Sequence, residues 1–348
     1  MVINNEVKGM LRTRIIPILN VAIALAPKSG YYSRKSLKRS LPVPKPYEEM
    51  SFLEFQEKYP DETACEDKLF SFRWPEGFVC PKCGGVDFYD LPKRALFQCK
   101  QCKYQASLTA GTVMHKTRTP LLKWFWAIYL TATDKRGLSA LALKQKIGVG
   151  YKTAWTMLHK IRKAMEARDA DYQLAGVIQA DDAFFKGGVK KGGDKRGRGT
   201  SKVPVLVMAA TRDKAITFAK MEILDTVDGQ NIEAALEKHV AENQTIVSDG
   251  LPAFNVAEKL GHEHVPEVVY PKSGPPNYDV LSWVNILVSN AKAFILGTYH
   301  GVMKKHLQKY LDEFCYRFNR RWWPEQTFDR LLMACSKTTP VGYSELTG

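Results

Sequence analysis

The sequence predicts a multi-domain α/β protein, and three observations carry that prediction. Short apolar runs alternate with helical patterns from Val177 onward. Two Cys-x-x-Cys pairs stand between residues 80 and 102, and two helical segments flank Gly148-Val149-Gly150. The 348-residue chain is 45% hydrophobic and 25% charged, which suits two or three folded domains. Lys and Arg outnumber Asp and Glu by 51 to 36, a formal charge of +15. That surplus points to a polyanionic partner, because Lys and Arg displace counterions from a phosphate backbone; a membrane surface gives the same signal. No apolar run reaches the roughly 18 residues that a membrane span needs.

At the N-terminus, Arg12 and Arg14 precede an apolar run from Ile15 to Ala26 that loosely imitates an export signal, but Pro17 and Asn20 interrupt it. Lys28 to Pro46 is basic and rich in Ser and Pro, with few residues able to join a core. Residues 1–49 therefore read as a disordered basic tail. Met50, which opens the helical pattern of Phe52, Leu53 and Phe55, is an alternative start. Seven cysteines, four of them in Cys-x-x-Cys pairs, suit a reducing compartment with a metal site; the expected location is the cytoplasm, at the nucleoid.

Residues 50–112 read as two short helices leading into a zinc ribbon. Cys80-Pro-Lys-Cys83-Gly-Gly and Cys99-Lys-Gln-Cys102-Lys supply four thiolates, and two thiolates separated by two residues fit adjacent corners of a zinc tetrahedron. Gly84 and Gly85 permit the tight turn after the first pair. Phe88-Tyr89 and Ala95–Gln98 are the expected strands between the pairs. Lys82, Lys93, Arg94, Lys100 and Lys103 favour a DNA contact over a purely structural role.

Residues 113–172 read as a helix-turn-helix region. Apolar residues from Leu121 to Tyr129 recur at helical spacing. A helix over Leu138–Ile147 stops at the Gly148 turn, and a second starts at Tyr151 carrying Lys152, Thr153, Trp155, His159, Lys160, Arg162 and Lys163. Helix, short Gly-containing turn and basic second helix form the pattern whose second helix enters the major groove. Ala154, Leu158 and Ile161 are expected to face the first helix, with Lys152, Thr153, His159 and Lys160 outward on DNA; a helical hairpin packed on a core is the competing reading.

Residues 173–348 hold the runs Gly176–Phe185, Val203–Ala210, Ile216–Ile223, Thr245–Ser248 and Pro266–Tyr270 with helices between, which fits a mixed sheet with flanking helices. Asp181-Asp182 ends one apolar run and Asp249 another. Carboxylates at the ends of neighbouring strands can share Mg²⁺, which prefers hard oxygen ligands. A helix over Trp283–Phe294 puts Asn285 and Lys292 on one face, where Asn285 can offer a carbonyl oxygen to metal and Lys292 can hold a phosphate. Between the first two strands, Lys186, Lys190, Lys191, Lys195, Arg196, Arg198 and Lys202 sit among glycines; Lys190, Lys191, Arg196 and Arg198 are expected to clamp DNA. Tyr299-His300 reads either as active-site residues or as a helix C-terminal turn. His115, His159, His239, His262, His264 and His306 show no ligand spacing with one another and read as surface or packing residues.

Several blocks in order carry a resemblance to a family: Trp74-Pro-Glu-Gly-Phe-Val-Cys80-Pro-Lys-Cys83, Asp181-Asp182-Ala183-Phe184, Ser248-Asp249-Gly250, Trp283-Val284-Asn285, Gly297-Thr-Tyr-His300 and Tyr310-Leu-Asp-Glu-Phe314. From Met50 to the C-terminus the chain resembles insertion-sequence transposases of the ISXO-like type, relatives of the Merlin transposons. The resemblance implies an RNase H-like catalytic domain with Asp181, not Asp182, as the first metal ligand, Asp249 as the second and Asn285 as the third, followed by Lys292. It also implies Mg²⁺ or Mn²⁺ at that site, and DNA partners in the form of transposon inverted repeats and target DNA. A homo-oligomeric active complex follows from the same resemblance. The third position is Asn where most of the superfamily has Glu, and Phe184 stands where Tyr is usual. An RNase H-like nuclease without strand transfer and a catalytically inactive DNA-binding regulator are the rival readings.

Overall fold

The computed structural model describes residues 49–187, 202–213, 215–267 and 280–347. The basic tail, except Glu49, and the loop cations Lys190, Lys191, Lys195, Arg196 and Arg198 lie outside the described residues.

Two cores are built on different logic. The first is aromatic and helical. Helix α1 (Phe52–Lys58) starts in a capping box: Glu54 N–H donates to the Ser51 hydroxyl, and Ser51 N–H donates to the Glu54 carboxylate. Asp61 caps α2 (Glu62–Arg73). Pro120 cannot cap α3 (Leu121–Thr133) with a side chain, and the Glu62 carboxylate does so from α2, accepting from Leu121 N–H and Leu122 N–H at 2.6 and 3.0 Å. Phe55, Tyr59, Leu69 and Phe125 are buried together, and Phe328, far along the chain, packs edge-on against Phe55 with ring centroids 5.2 Å apart. Between α2 and α3 lies a three-stranded antiparallel sheet of β1 (Phe88–Leu91), β2 (Leu96–Cys99) and β3 (Gln105–Ala106). Its third strand, two residues long, was not anticipated.

Helices α4 (Ala140–Ile147) and α5 (Tyr151–Ala170) flank the glycine turn as expected. Ser139 caps α4, and Gly148 closes it with φ 61, a left-handed conformation that glycine adopts without Cβ strain.

The second core surrounds a five-stranded mixed sheet of β4 (Val177–Phe185), β5 (Val203–Arg212), β6 (Ala215–Ile223), β7 (Thr245–Ser248) and β8 (Glu263–Pro266), in the order β6-β5-β4-β7-β8. The β4, β5 and β6 strands are antiparallel neighbours, while β4–β7 and β7–β8 are parallel. This is the RNase H-like arrangement. Helices α6 (Gly229–His239) and α7 (Val256–Lys259) bury Ile232, Leu236 and Ala257 on one face, beside Ile178, Ala180 and Met208. Helices α8 (Ser282–Tyr299) and α9 (Lys304–Asn319) bury Val284, Leu287 and Leu311 on the other, beside Ala183, Phe185 and Val207. Helix α10 (Thr327–Lys337) then returns to the first core, and α11 (Tyr343–Thr347) ends the described chain.

Two expectations need correction. The first sheet strand does not end at Asp181-Asp182: pairing with β7 stops at Ala180↔Ser248, but pairing with β5 continues to Phe185↔Val203. The last strand among the described residues is Glu263–Pro266, which starts three residues before the expected run Pro266–Tyr270; residues 268–270 of that run lie outside the described residues. Glu263–Pro266 is a half-exposed edge strand, so its apolar pattern is weak.

Candidate active site and metal-binding ribbon

Register decides which aspartate faces which layer. Side chains alternate across a strand. Gln179, Ala183 and Phe185 of β4 lie on the α8 side: the Gln179 amide oxygen accepts from Trp283 N–H at 3.0 Å, and Ala183 and Phe185 share a core with Val284 and Leu287. Asp181 falls on that same side of β4, and Asp182 on the opposite one. The Asp181 carboxylate accepts from Asp182 N–H at 2.8 Å. Asp249 follows β7 directly, so both aspartates come one residue after the last parallel pair, Ala180↔Ser248. The Asp249 carboxylate accepts from Leu251 N–H at 3.0 Å, and Gly250 with φ 82 turns the chain away. Both aspartates are half-buried.

Asn285 and Lys292 lie on exposed positions of α8, about 20° apart around its axis. The Lys292 ammonium stands 5.5 Å from the centroid of the Phe185 ring, four residues along β4 from Asp181. Desolvation lowers its pKa from the ordinary lysine value, and the Lys202 charge adds to this. Asp181 thus lies on the side of the sheet covered by α8, where Lys292 reaches the Phe185 ring; Asp249 stands at the end of the neighbouring strand, and Asn285 shares the stripe of α8 that carries Lys292. Gln179 is the residue that sequence reasoning missed; its signal was a polar side chain in an apolar run, two before Asp181.

The four ribbon thiols converge. Cys80, Cys83, Cys99 and Cys102 have Sγ atoms all within 4.8 Å of one another, with Cys80–Cys102 at 3.5 Å and Cys83–Cys99 at 3.6 Å. Four thiolates at zinc–sulfur distances of about 2.3 Å require similar separations, so the set fits one tetrahedral zinc ion. Burial raises the Cys80 pKa, but the Lys82 and Cys83 backbone N–H groups outweigh it and bring the thiol down to about 7. Gly85 must stay small: a Cβ there would meet the Gln101 side chain at 2.6 Å and Cys99 Sγ at 3.3 Å. Lys82, Arg94, Lys100 and Lys103 are exposed on this ribbon.

On α5, the residues expected to face DNA divide. Lys152 is exposed and Thr153 and Lys160 are partly so, while Ala154, Leu158 and Ile161 are buried. His159 is fully buried, its ring 3.9 Å from that of Trp155, and burial lowers its pKa to about 2. It is therefore a neutral packing residue and does not stand on the outward face. Arg162 is buried too, with Nε donating to Glu313 Oε2 at 2.7 Å. A helix wrapped by α4, α9 and α10 keeps only a narrow outward stripe. Tyr299 belongs to this buried network, and His300 with φ 55 closes α8, so the pair forms a helix end.

The chain thus joins a four-cysteine ribbon to a five-stranded RNase H-like sheet in which one aspartate lies within a strand and another directly follows its parallel neighbour. Residues 173–319 match the ISXO2-like transposase domain and residues 60–105 the transposase zinc-ribbon domain, together more than half of the chain. The chain belongs to the family of ISXO2-like transposases. It is 27% identical over 276 residues to an uncharacterized protein in transposable element ISH50 of Halobacterium salinarum, covering 74% of this chain and 90% of that one. Among solved structures, a pre-cleavage Mos1 transpososome is 12% identical over 61% of this chain and 78% of that one, with a TM-score of 0.25. A Mos1 strand transfer complex is 13% identical over the same shares, with a TM-score of 0.24. Likeness at that level carries no argument about this chain.

Proposed function

We propose that this chain binds the ends of its own transposon, cuts them in a metal-dependent reaction and joins the freed 3′-OH to target DNA. The observation that supports this most is that Asp181 within β4 and Asp249 directly after β7 both come one residue past the last pair of two adjoining parallel strands. Asp181 lies on the side of the sheet covered by α8, the helix that carries Asn285 and Lys292. The two carboxylates and the Asn285 amide oxygen are the ligands for Mg²⁺ or Mn²⁺, hard cations that take oxygen donors. Bound there, the cation supplies activation of the attacking oxygen and neutralisation of the leaving one. Asp181 and Asp249 fix its position, Asn285 adds a neutral donor, and Lys292 holds a phosphate oxygen of the strand.

The ribbon, with zinc as a structural ion, and the outward stripe of α5 hold the DNA. In this reading the chain is organised as a ribbon segment (50–112), a helix-turn-helix segment (113–172) and a catalytic segment (173–348), and acts as a homo-oligomer. Among the described residues no helix is long and apolar enough to cross a membrane.

The test is cleavage of a duplex carrying the inverted repeat that flanks this reading frame, with Mg²⁺ or Mn²⁺. Asp181→Ala or Asp249→Ala abolishes cleavage and leaves binding intact. Asn285→Ala cleaves weakly and recovers at high metal, and Asn285→Glu cleaves as well as the parent or better. Metal-dependent binding without any cleavage by the parent would instead assign the chain as a DNA-binding regulator.

A further inference from the structure

Helix α8 carries more than the two candidate site residues. Asn285, Lys292 and Tyr299 recur every seven residues, so the last residue of α8 shares the stripe of the first two. The Tyr299 hydroxyl accepts from Leu138 N–H at 3.2 Å, immediately before α4, and from Arg162 Nη2 of α5 at 3.4 Å. It donates to the Glu313 carboxylate of α9 at 3.4 Å. Around it the fit is tight. A Cβ on Gly137 would lie 2.6 Å from both the Tyr299 hydroxyl oxygen and Phe294 Cε2, and Gly137 has φ 90. One residue earlier in α8, the Thr298 hydroxyl donates to the Arg136 carbonyl.

The other end of α8 is fixed to β4 through Trp283 N–H and Gln179, two residues from Asp181. The helix is thus pinned at one end to the strand of the first aspartate and at the other to the pair α4–α5, whose second helix is assigned to DNA above. With both ends held, its rotation is set. A turn of about 10° about the axis moves side-chain tips at the helix surface by about 1 Å. Misplacement of that size can cost about 100-fold in rate.

We propose that Tyr299 is a positioning residue: through its hydroxyl it couples the DNA-facing helices α4 and α5 to the rotation of α8, and so aligns Asn285 and Lys292 when DNA is bound. The proposal rests on the assignment of Asn285 and Lys292 made above. Tyr299 touches neither metal nor DNA in this scheme; it acts through the helix.

The experiment uses the full zinc-loaded chain, the duplex with the flanking inverted repeat, and Tyr299→Phe, which keeps the ring and removes only the hydroxyl. Affinity for the duplex stays within about twofold and the KM for DNA is unchanged. The kcat falls by about 10- to 100-fold, the range for residues that orient a ligand from behind, and the Mg²⁺ concentration for half-maximal cleavage rises. Amide exchange gives a second readout that does not need turnover. In the parent, the duplex slows exchange over residues 282–299 as well as over α5; in Tyr299→Phe only the α5 protection remains. A variant with the parent's kcat and metal requirement overturns the coupling, as does α8 protection that survives the substitution. If the parent itself does not cleave, the functional assignment falls, and the exchange pattern still decides the coupling.

Discussion

Arg162 of α5 and Glu313 of α9 form an ion pair of 2.7 Å in which the side chains are 2% and 0% exposed. Glu313 also receives Arg317 Nη1 at 3.1 Å, so one carboxylate answers two guanidinium groups. Its neighbour keeps Arg162 charged: burial lowers the Arg162 pKa, but the Glu313 charge outweighs that and holds it above the ordinary arginine value. Glu313→Ala strands a buried cation, and we expect a loss of about 3–5 kcal/mol in denaturant unfolding. A change below about 1 kcal/mol would show that water reaches the pair.

Zinc content is the second prediction. The purified chain carries one zinc ion, read by elemental analysis, and Cys99→Ser carries none. Because Cys99 is fully buried against the first core, its loss also lowers the melting temperature, whereas the exposed lysines of the ribbon do not affect it.

Salt dependence separates a working clamp from a solvated loop. Each phosphate contact contributes about 0.9 to the slope of log affinity against log salt. Neutralising Lys190, Lys191, Arg196 and Arg198 together is expected to flatten that slope by as much as about 3 to 4. An unchanged slope removes the loop from the DNA interface.

Asp312 gives a pH signature. Its Oδ1 accepts from Gln308 at 2.8 Å, while its Oδ2 is shut off from solvent and finds no donor. Burial pushes its pKa up to about 8. Between about pH 4 and 8 the folded chain therefore holds a proton that the unfolded chain has lost, and this group's contribution to stability falls as pH rises. Asp312→Asn is expected to melt higher than the parent at pH 8, with little difference at pH 4. Equal melting curves at both pH values would refute the assignment.

What could be read from the residues was local. The four cysteines, the α4–α5 pair and the β7 strand followed by Asp249 each depend on a signal within about twenty residues, and each was legible. What faced what was not. Arg162 and His159 look like outward cations on a basic helix, and only α9, some 150 positions later, turns their side into an interior. The residues alone left Asp181 and Asp182 alike, and only the family resemblance chose between them; which layer each one faces needed the register with β7 and the Gln179–Trp283 bond, which join parts of the chain that no periodicity links.

The return of α10 to the first core has a consequence during synthesis. Phe55 and Phe125 both pack against Phe328, so the aromatic cluster at the start of the chain stays open until residues near the end have left the ribosome. At roughly 5–20 residues per second, the stretch from α5 to α10 takes on the order of ten to thirty seconds to translate. Through that interval the nascent N-terminal half presents greasy surface to chaperones, and an abortive product lacking the last few dozen residues cannot close it.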